Sequence, residues 1–215
     1  MLVTLANLET LDFTKSGGLL PAIVQDQQSS AVLMLGYVSR ESLQASLTRQ
    51  RVVFFSRSRQ ELWEKGATSG NHLHLVDMHA DCDNDAVLIR ALPQGPTCHR
   101  GSRSCFGDDT RPATGFLGEL DAIVAARRGA NAETSYTARL FQEGPLRRAQ
   151  KLGEEGLETA LAGACQDDAS LLGESADLLY HLLVLLRGRD LSIAGVISEL
   201  ERRHKKSMHT ASQRI

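Results

Sequence analysis

The chain has 215 residues, 42% of them hydrophobic and 23% charged, with a formal net charge of −2. That composition is ordinary for a globular protein and leaves room for one large domain or two of about 100 residues. It excludes a polyelectrolyte tail and offers no electrostatic pull toward nucleic acid.

The N-terminus, Met1-Leu2-Val3-Thr4-Leu5, lacks a basic stretch and soon meets Glu9 and Asp12, so no signal peptide is expected. No apolar run reads as long enough to span a bilayer. A cytoplasmic location follows as the default. Reduced thiols there make clustered cysteines ligands rather than disulfides.

In chain order, residues 31–37 are a continuous apolar run and predict a strand. Ser39 can cap a helix over 39–50, with Glu41 in its first turn and Leu43 and Leu47 on one face. Val52-Val53-Phe54-Phe55 predicts a second strand. Leu73, Leu75 and Asp77 alternate imperfectly with His74, Val76 and Met78, and 86–92 is a further apolar stretch. Residues 107–115 carry Gly, Pro and paired Asp without apolar periodicity and read as a linker. Beyond it the period becomes helical, over 116–128, 146–165, 171–187 and 192–204. The expected fold class is two domains: an α+β, mostly β, domain over 1–109 and an all-α domain over 115–215.

The chemistry concentrates in residues 81–105. Asp81, Asp83 and Asp85 alternate around Cys82, and Cys98 and Cys105 follow in Gly95-Pro96-Thr97-Cys98-His99-Arg100-Gly101 and Ser104-Cys105-Phe106. Thiolates suit zinc and carboxylates suit magnesium, so one segment offers two distinct metal sites. Three cysteines leave the fourth zinc position open, as catalytic zinc requires. His99 is either that fourth ligand or a proton carrier. A calcium loop is ruled out, because Ala86 and Leu92 stand where it needs Gly and Glu. Upstream, Arg57, Arg59, Lys65, Thr68 and Ser69 combine cations, hydroxyls and nearby glycines, a set that suits phosphate.

In the helical half, Glu155 and Glu158 are three apart, as are Glu174 and Asp177, so each pair shares a helix face. Two such faces packed together would surround one cavity with four carboxylates, a setting for Mg²⁺ and hence for phosphates. Lys151, one turn before Glu155, is placed to meet a phosphate.

Taken together these motifs resemble the bifunctional histidine-biosynthesis family, in which a phosphoribosyl-AMP cyclohydrolase is fused to a phosphoribosyl-ATP pyrophosphatase. The cyclohydrolase likeness spans 17–106 and rests on Met34-Leu35-Gly36-Tyr37, Phe55-Ser56-Arg57-Ser58-Arg59, Leu62-Trp63-Glu64-Lys65-Gly66, Thr68-Ser69-Gly70 and the Asp/Cys motifs above. The pyrophosphatase likeness spans 116–206 and rests on Ser135-Tyr136-Thr137, Lys151-Leu152-Gly153-Glu154-Glu155 with Glu158, and Glu174 through His181. The resemblance implies zinc on Cys82, Cys98 and Cys105, and magnesium on Asp81, Asp83 and Asp85. It implies a second magnesium site on Glu155, Glu158, Glu174 and Asp177. It further implies a homodimer with zinc ligands drawn from both chains, and two nucleotide substrates. His99 is then the expected proton carrier of the ring-opening step. The choice between Glu154 and Glu155 for orienting water stays open, with Glu155 carried forward. The H-x-E and P-C-x-x-C signature of zinc deaminases is missing, which favours ring opening over deamination. Gly156 departs from the alanine usual in the family.

Overall fold

The computed structural model describes residues 1–15, 17–107 and 110–212. Asp108 and Asp109 of the expected linker lie outside the described residues. The chain divides into two compact units, Met1–Phe116 and Leu117–Ile215. The first is mostly strands and the second is helical, as the change of period indicates.

In the N-terminal unit four strands form one sheet, β1 Leu20–Asp26, β2 Val32–Val38, β5 Leu73–Ala80 and β6 Val87–Pro93, ordered β2-β1-β6-β5. The β1–β6 pairing is parallel and the outer two are antiparallel. A second sheet pairs β3 Val53–Ser56 with β4 Glu61–Glu64. Helix α1, Arg40–Arg49, starts at a capping box in which Ser39 and Ser42 bond each other's backbone. Leu43 is fully buried and Leu47 packs against the same core.

Two strands were not foreseen. In β1, Leu20, Ala22 and Val24 alternate inward, but Pro21 obscures the pattern. That proline is tolerated because pairing with β6 starts one residue later, at Ala22. Strand β4 is half exposed, with Trp63 alone packed on the core, and among the described residues it pairs only with β3, so its four residues carry little hydrophobic signal. The imperfect alternation in β5 has a physical cause. A bulge between Leu75 and Asp77 leaves exposed Val76 outside the ladder, so Met78 and Ala80 take the inward positions. The sequence pattern placed Asp77 there instead.

The C-terminal unit comprises α2 Gly115–Ala126, which begins two residues before the division, then α3 Tyr136–Gln142, α4 Pro145–Cys165, α5 Asp168–Arg187 and α6 Ile193–Ser212. Helix α3 was not foreseen; seven residues are too few for a periodicity to show. Its cap is Ser135, whose hydroxyl accepts from Ala138 N. Helices α4 and α5 run antiparallel, with Gly163 beside Leu171, Gly156 beside Leu178 and Arg148 against Gly188. A core of Val124, Leu140, Leu183, Val184 and Ile193 joins the other helices to this pair. Buried Asp121 accepts two bonds from Arg187, at 2.7 and 2.6 Å, and one from Ile193 N, tying α2 to the junction of α5 and α6.

One expectation needs correction. Helix α5 is twenty residues long and, by length and composition, apolar enough to cross a membrane. Its Glu174, Asp177 and His181 lie instead along the pairing with α4 or beside it, where carboxylates are expected to have partners.

Candidate active sites

The N-terminal site is a cavity of about 530 Å³ lined by Met34, Trp63, Lys65–Ser69, Asn71 and the segment carrying Thr97, Cys98, His99 and Cys105. Hydrogen bonds pin that segment to the sheet. Arg103 Nη2 donates to buried Asp26 at 2.7 Å, Ser104 Oγ to Val32 O at 2.7 Å, and Cys105 N to Leu33 O at 2.8 Å. On the opposite wall Gly66 turns at φ +94, where a Cβ would sit 2.4 Å from Asn71 O. Only glycine fits that close approach.

Several expected residues meet here: Lys65, Thr68, Ser69, Cys98, His99 and Cys105. His99 is exposed, with Nδ1 4.0 Å from Cys98 Sγ. The Cys98 thiol pKa is lowered, first by the Arg100 backbone N–H and then by Ser102. Lys65 is buried, which pushes its ammonium pKa down against the pull of Cys105 and Cys98. Thr97 Oγ1 is buried without a hydrogen-bond partner, a polar atom that motif reading passed over.

Arg57 and Arg59 are not among the cavity's lining residues. Both lie on the β3–β4 turn, Arg57 stacked 3.7 Å from the Tyr37 ring centre and Arg59 3.4 Å from Glu61. Cys82 stands apart from Cys98 and Cys105, at the tip of the β5–β6 hairpin, where its thiol is 3.8 Å from Asp83. Asp81, Asp83 and Asp85 do converge there, with one oxygen of each within 4.8 Å of the others. Asp81 Oδ1 also braces the loop by accepting from Asp85 N and Ala86 N. Lys15 lies across the group, its ammonium 2.7 Å from Asp83 and 3.1 Å from Asp85. Asp83 and then Asp85 raise the pKa of the Lys15 ammonium through these bonds, and Lys15 in turn lowers that of Asp83.

In the C-terminal unit Glu155, Glu158 and Glu174 converge within 4.8 Å across α4 and α5. Thr159 Oγ1 fixes the helices' relative height, 2.7 Å from Glu155 O and 3.0 Å from Glu174 O. The Glu158 carboxyl is pushed up, first by desolvation and then by the charges of Glu155 and Glu174. Exposed Asp177 lies one turn beyond Glu174 and is not part of the three-carboxylate group. Lys151 is engaged by Glu155 at 2.7 Å and Glu154 at 2.9 Å, so in this arrangement its first partners are carboxylates.

Sequence reasoning assigned no role to His181. It is buried, its Nε2 is 3.6 Å from Glu155, its Nδ1 has no hydrogen-bond partner among the described residues, and its ring meets Tyr136 and Tyr180 edge-on. The signal was available: His181 is four residues after Asp177 and seven after Glu174, on the same helix face.

Residues 34–107 match the family model for phosphoribosyl-AMP cyclohydrolase, and residues 117–204 that for phosphoribosyl-ATP pyrophosphohydrolase. The chain is 55% identical over 198 residues to the histidine biosynthesis bifunctional protein HisIE of Xanthomonas campestris pv. campestris, covering 92% of this chain and 95% of the relative. The chain belongs to this bifunctional histidine-biosynthesis family. HisIE proteins of Shewanella oneidensis and Shigella sonnei are 49% and 51% identical over 204 and 195 residues. These matches cover 95% and 91% of this chain, and 96% of each relative. The thiol-lined cavity and the Asp81, Asp83 and Asp85 group therefore fall within the residues matched to the cyclohydrolase model, and the Glu155, Glu158 and Glu174 group within those matched to the pyrophosphohydrolase model.

Proposed function

We propose that the two units carry out successive hydrolyses. The C-terminal unit cleaves phosphoribosyl-ATP to phosphoribosyl-AMP and pyrophosphate. The N-terminal unit then opens the adenine ring of phosphoribosyl-AMP at N1–C6. The observation that carries this reading is the pairing of a thiol-lined cavity with a three-carboxylate group, each inside its own family domain.

The donor sets fit the implied metals. Converging carboxylates suit magnesium, and the soft Cys98 and Cys105 thiols on the cavity wall suit zinc. Glu155, Glu158 and Glu174, with Asp177 at the edge, would hold Mg²⁺, which supplies positive charge to polyphosphate oxygens. Glu155, set by Lys151 and His181, is placed to orient the attacking water. Lys151 moves from Glu154 to phosphate once substrate arrives.

In the N-terminal unit Cys82, Cys98 and Cys105 would hold Zn²⁺, whose Lewis acidity makes hydroxide available near neutral pH. His99, on the cavity wall, carries the proton to the ring nitrogen released at N1. Lys65, Thr68 and Ser69 position the substrate phosphate from inside the cavity. Arg57 and Arg59, on the β3–β4 turn, would join them only on leaving Tyr37 and Glu61. Asp81, Asp83 and Asp85 would hold the second Mg²⁺ after Lys15 withdraws.

Because Cys82 lies away from Cys98 and Cys105 within one chain, a homodimer that lends Cys82 to its partner completes the thiol set. Exposed apolar stripes support self-association. Leu146, Leu157 and Leu161 share a face of α4 and are 85%, 63% and 50% exposed. A soluble, cytoplasmic enzyme handling small nucleotides agrees with the balanced charge. The test is separation of activities. Cys105→Ala should abolish ring opening and spare pyrophosphate release, and Glu158→Gln should do the reverse. Loss of both from either single change in a folded protein contradicts two independent sites.

A further inference from the structure

We propose that the C-terminal unit also binds a phosphate-sized oxyanion, in a cavity built around Arg148 and separate from the carboxylate group. The cavity measures about 580 Å³ and is lined by the turn 128–133, which brings the Glu133 carboxylate as well as Arg128, by one face of α3, and by Arg148 and Gly188. Arg148 is only 7% exposed, yet among the described residues no ion pair joins it to a carboxylate. Its Nη1 donates to the carbonyls of Leu140 and Phe141, at 3.3 and 3.0 Å, and among the described residues its Nε has no hydrogen-bond partner. The contrast with Arg187 in the same unit is direct, since Arg187 meets Asp121 with two bonds.

A buried cation is costly unless a counter-charge and full hydrogen bonding compensate it. Two carbonyls at the end of α3, and the Phe141 ring with its centre 5.6 Å from the guanidinium carbon, bring only partial negative charge. An oxyanion in the adjoining space supplies the rest, and the guanidinium fork matches its geometry. Two neighbours fit that use. Gly188 leaves α5 bare where a Cβ would lie 2.5 Å from Arg148 Nε, so the guanidinium can lie flat against the helix end. Arg128 adds a second guanidinium to the lining and is steadied by Asp190.

Arg148 precedes Glu155 by seven residues, about 10 Å along α4. An anion beside it is therefore not the one that a cation on Glu155, Glu158 and Glu174 would hold. Two sources share the chemistry: free phosphate, or a phosphate at the far end of the nucleotide substrate. The second source rests on the function proposed above, and the first does not.

Titration of the full chain with inorganic phosphate, without Mg²⁺, is the test, read by the backbone amide resonances of Gly129, Ala130 and Gly188. Saturable shifts are expected. Arg148→Met should weaken binding roughly tenfold or more, the effect of losing a charge-assisted bond to an oxyanion. Arg128→Gln changes an exposed side chain and should weaken it several-fold in a protein that folds normally. Glu158→Gln should bind phosphate like the unaltered chain, so failure here is distinct from failure of the catalytic reading. If the anion is the substrate's own phosphate, inorganic phosphate competes with substrate and Arg148→Met raises KM with kcat retained. A free anion instead gives non-competitive behaviour and an unchanged KM. Absence of saturable shifts, or equal binding by the two arginine variants and the unaltered chain, would overturn the proposal and leave Arg148 as a brace for the end of α3.

Discussion

Lys15 and Glu158 show how single side chains set the charge of each carboxylate group. The Lys15 ammonium sits on Asp83 and Asp85 as a built-in cation, and any divalent ion has to displace it. Lys15→Met should therefore tighten Mg²⁺ binding at Asp81, Asp83 and Asp85 several-fold, measured by calorimetry in a Glu158→Gln background; unchanged or weaker binding would argue against that competition. At the other group, the raised pKa of Glu158 means that it keeps its proton to higher pH than an ordinary glutamate. A cation must expel that proton. Its affinity should rise as pH climbs through the Glu158 pKa and fall below it, with protons released on binding, and the slope should flatten in Glu158→Gln. At this scale the sequence was most legible for alternating or three-apart acids, because spacing alone brings them together. It was least legible for His181, Thr97 and Arg148, whose significance lies in burial without a full set of partners.

Among the elements, α4 and α5 carry the carboxylates, and their pairing has slack that can be tested. Gly156 lies mid-helix, and an added Cβ would rest 3.9 Å from Leu178 Cδ1, an ordinary contact. Gly156→Ala should thus stabilise the protein by about 0.5–1 kcal/mol, seen as a higher Tm, because it removes the helix penalty of glycine without a clash. A lower Tm would mean that the α4–α5 packing is tighter than the geometry indicates. Asp121→Ala should act in the opposite sense, costing about 3 kcal/mol in denaturant unfolding, since it strands Arg187 and the amide of Ile193. Helix α4 matches its expected span to within a residue, whereas α5 begins three residues before the expected 171 and α6 runs eight residues past the expected 204. The shortfalls were α3, too short for periodicity, β4, too exposed, and β1, masked by Pro21. In β5 the pattern gave the strand but not the bulge, which only pairing with β6 defines.

For the whole molecule, the change from strand to helical period near residue 110 made the two-part architecture readable, and the family matches to each half agree with it. What one chain's pattern does not reveal is which cysteines act together, because Cys82 lies apart from Cys98 and Cys105 within that chain. If two copies share the thiol set, mixing inactive Cys82→Ala and Cys98→Ala proteins under subunit exchange should restore about a quarter of the ring-opening rate, one intact site per mixed dimer. Persistent inactivity would place each thiol set within a single chain. Whether one chain performs both hydrolyses in order is decided by incubating the purified protein with phosphoribosyl-ATP, Mg²⁺ and trace Zn²⁺ and following products by mass spectrometry. Pyrophosphate together with a product heavier than phosphoribosyl-AMP by one water is the expected result. Accumulation of intact phosphoribosyl-AMP, or loss of ammonia from it, would contradict the account.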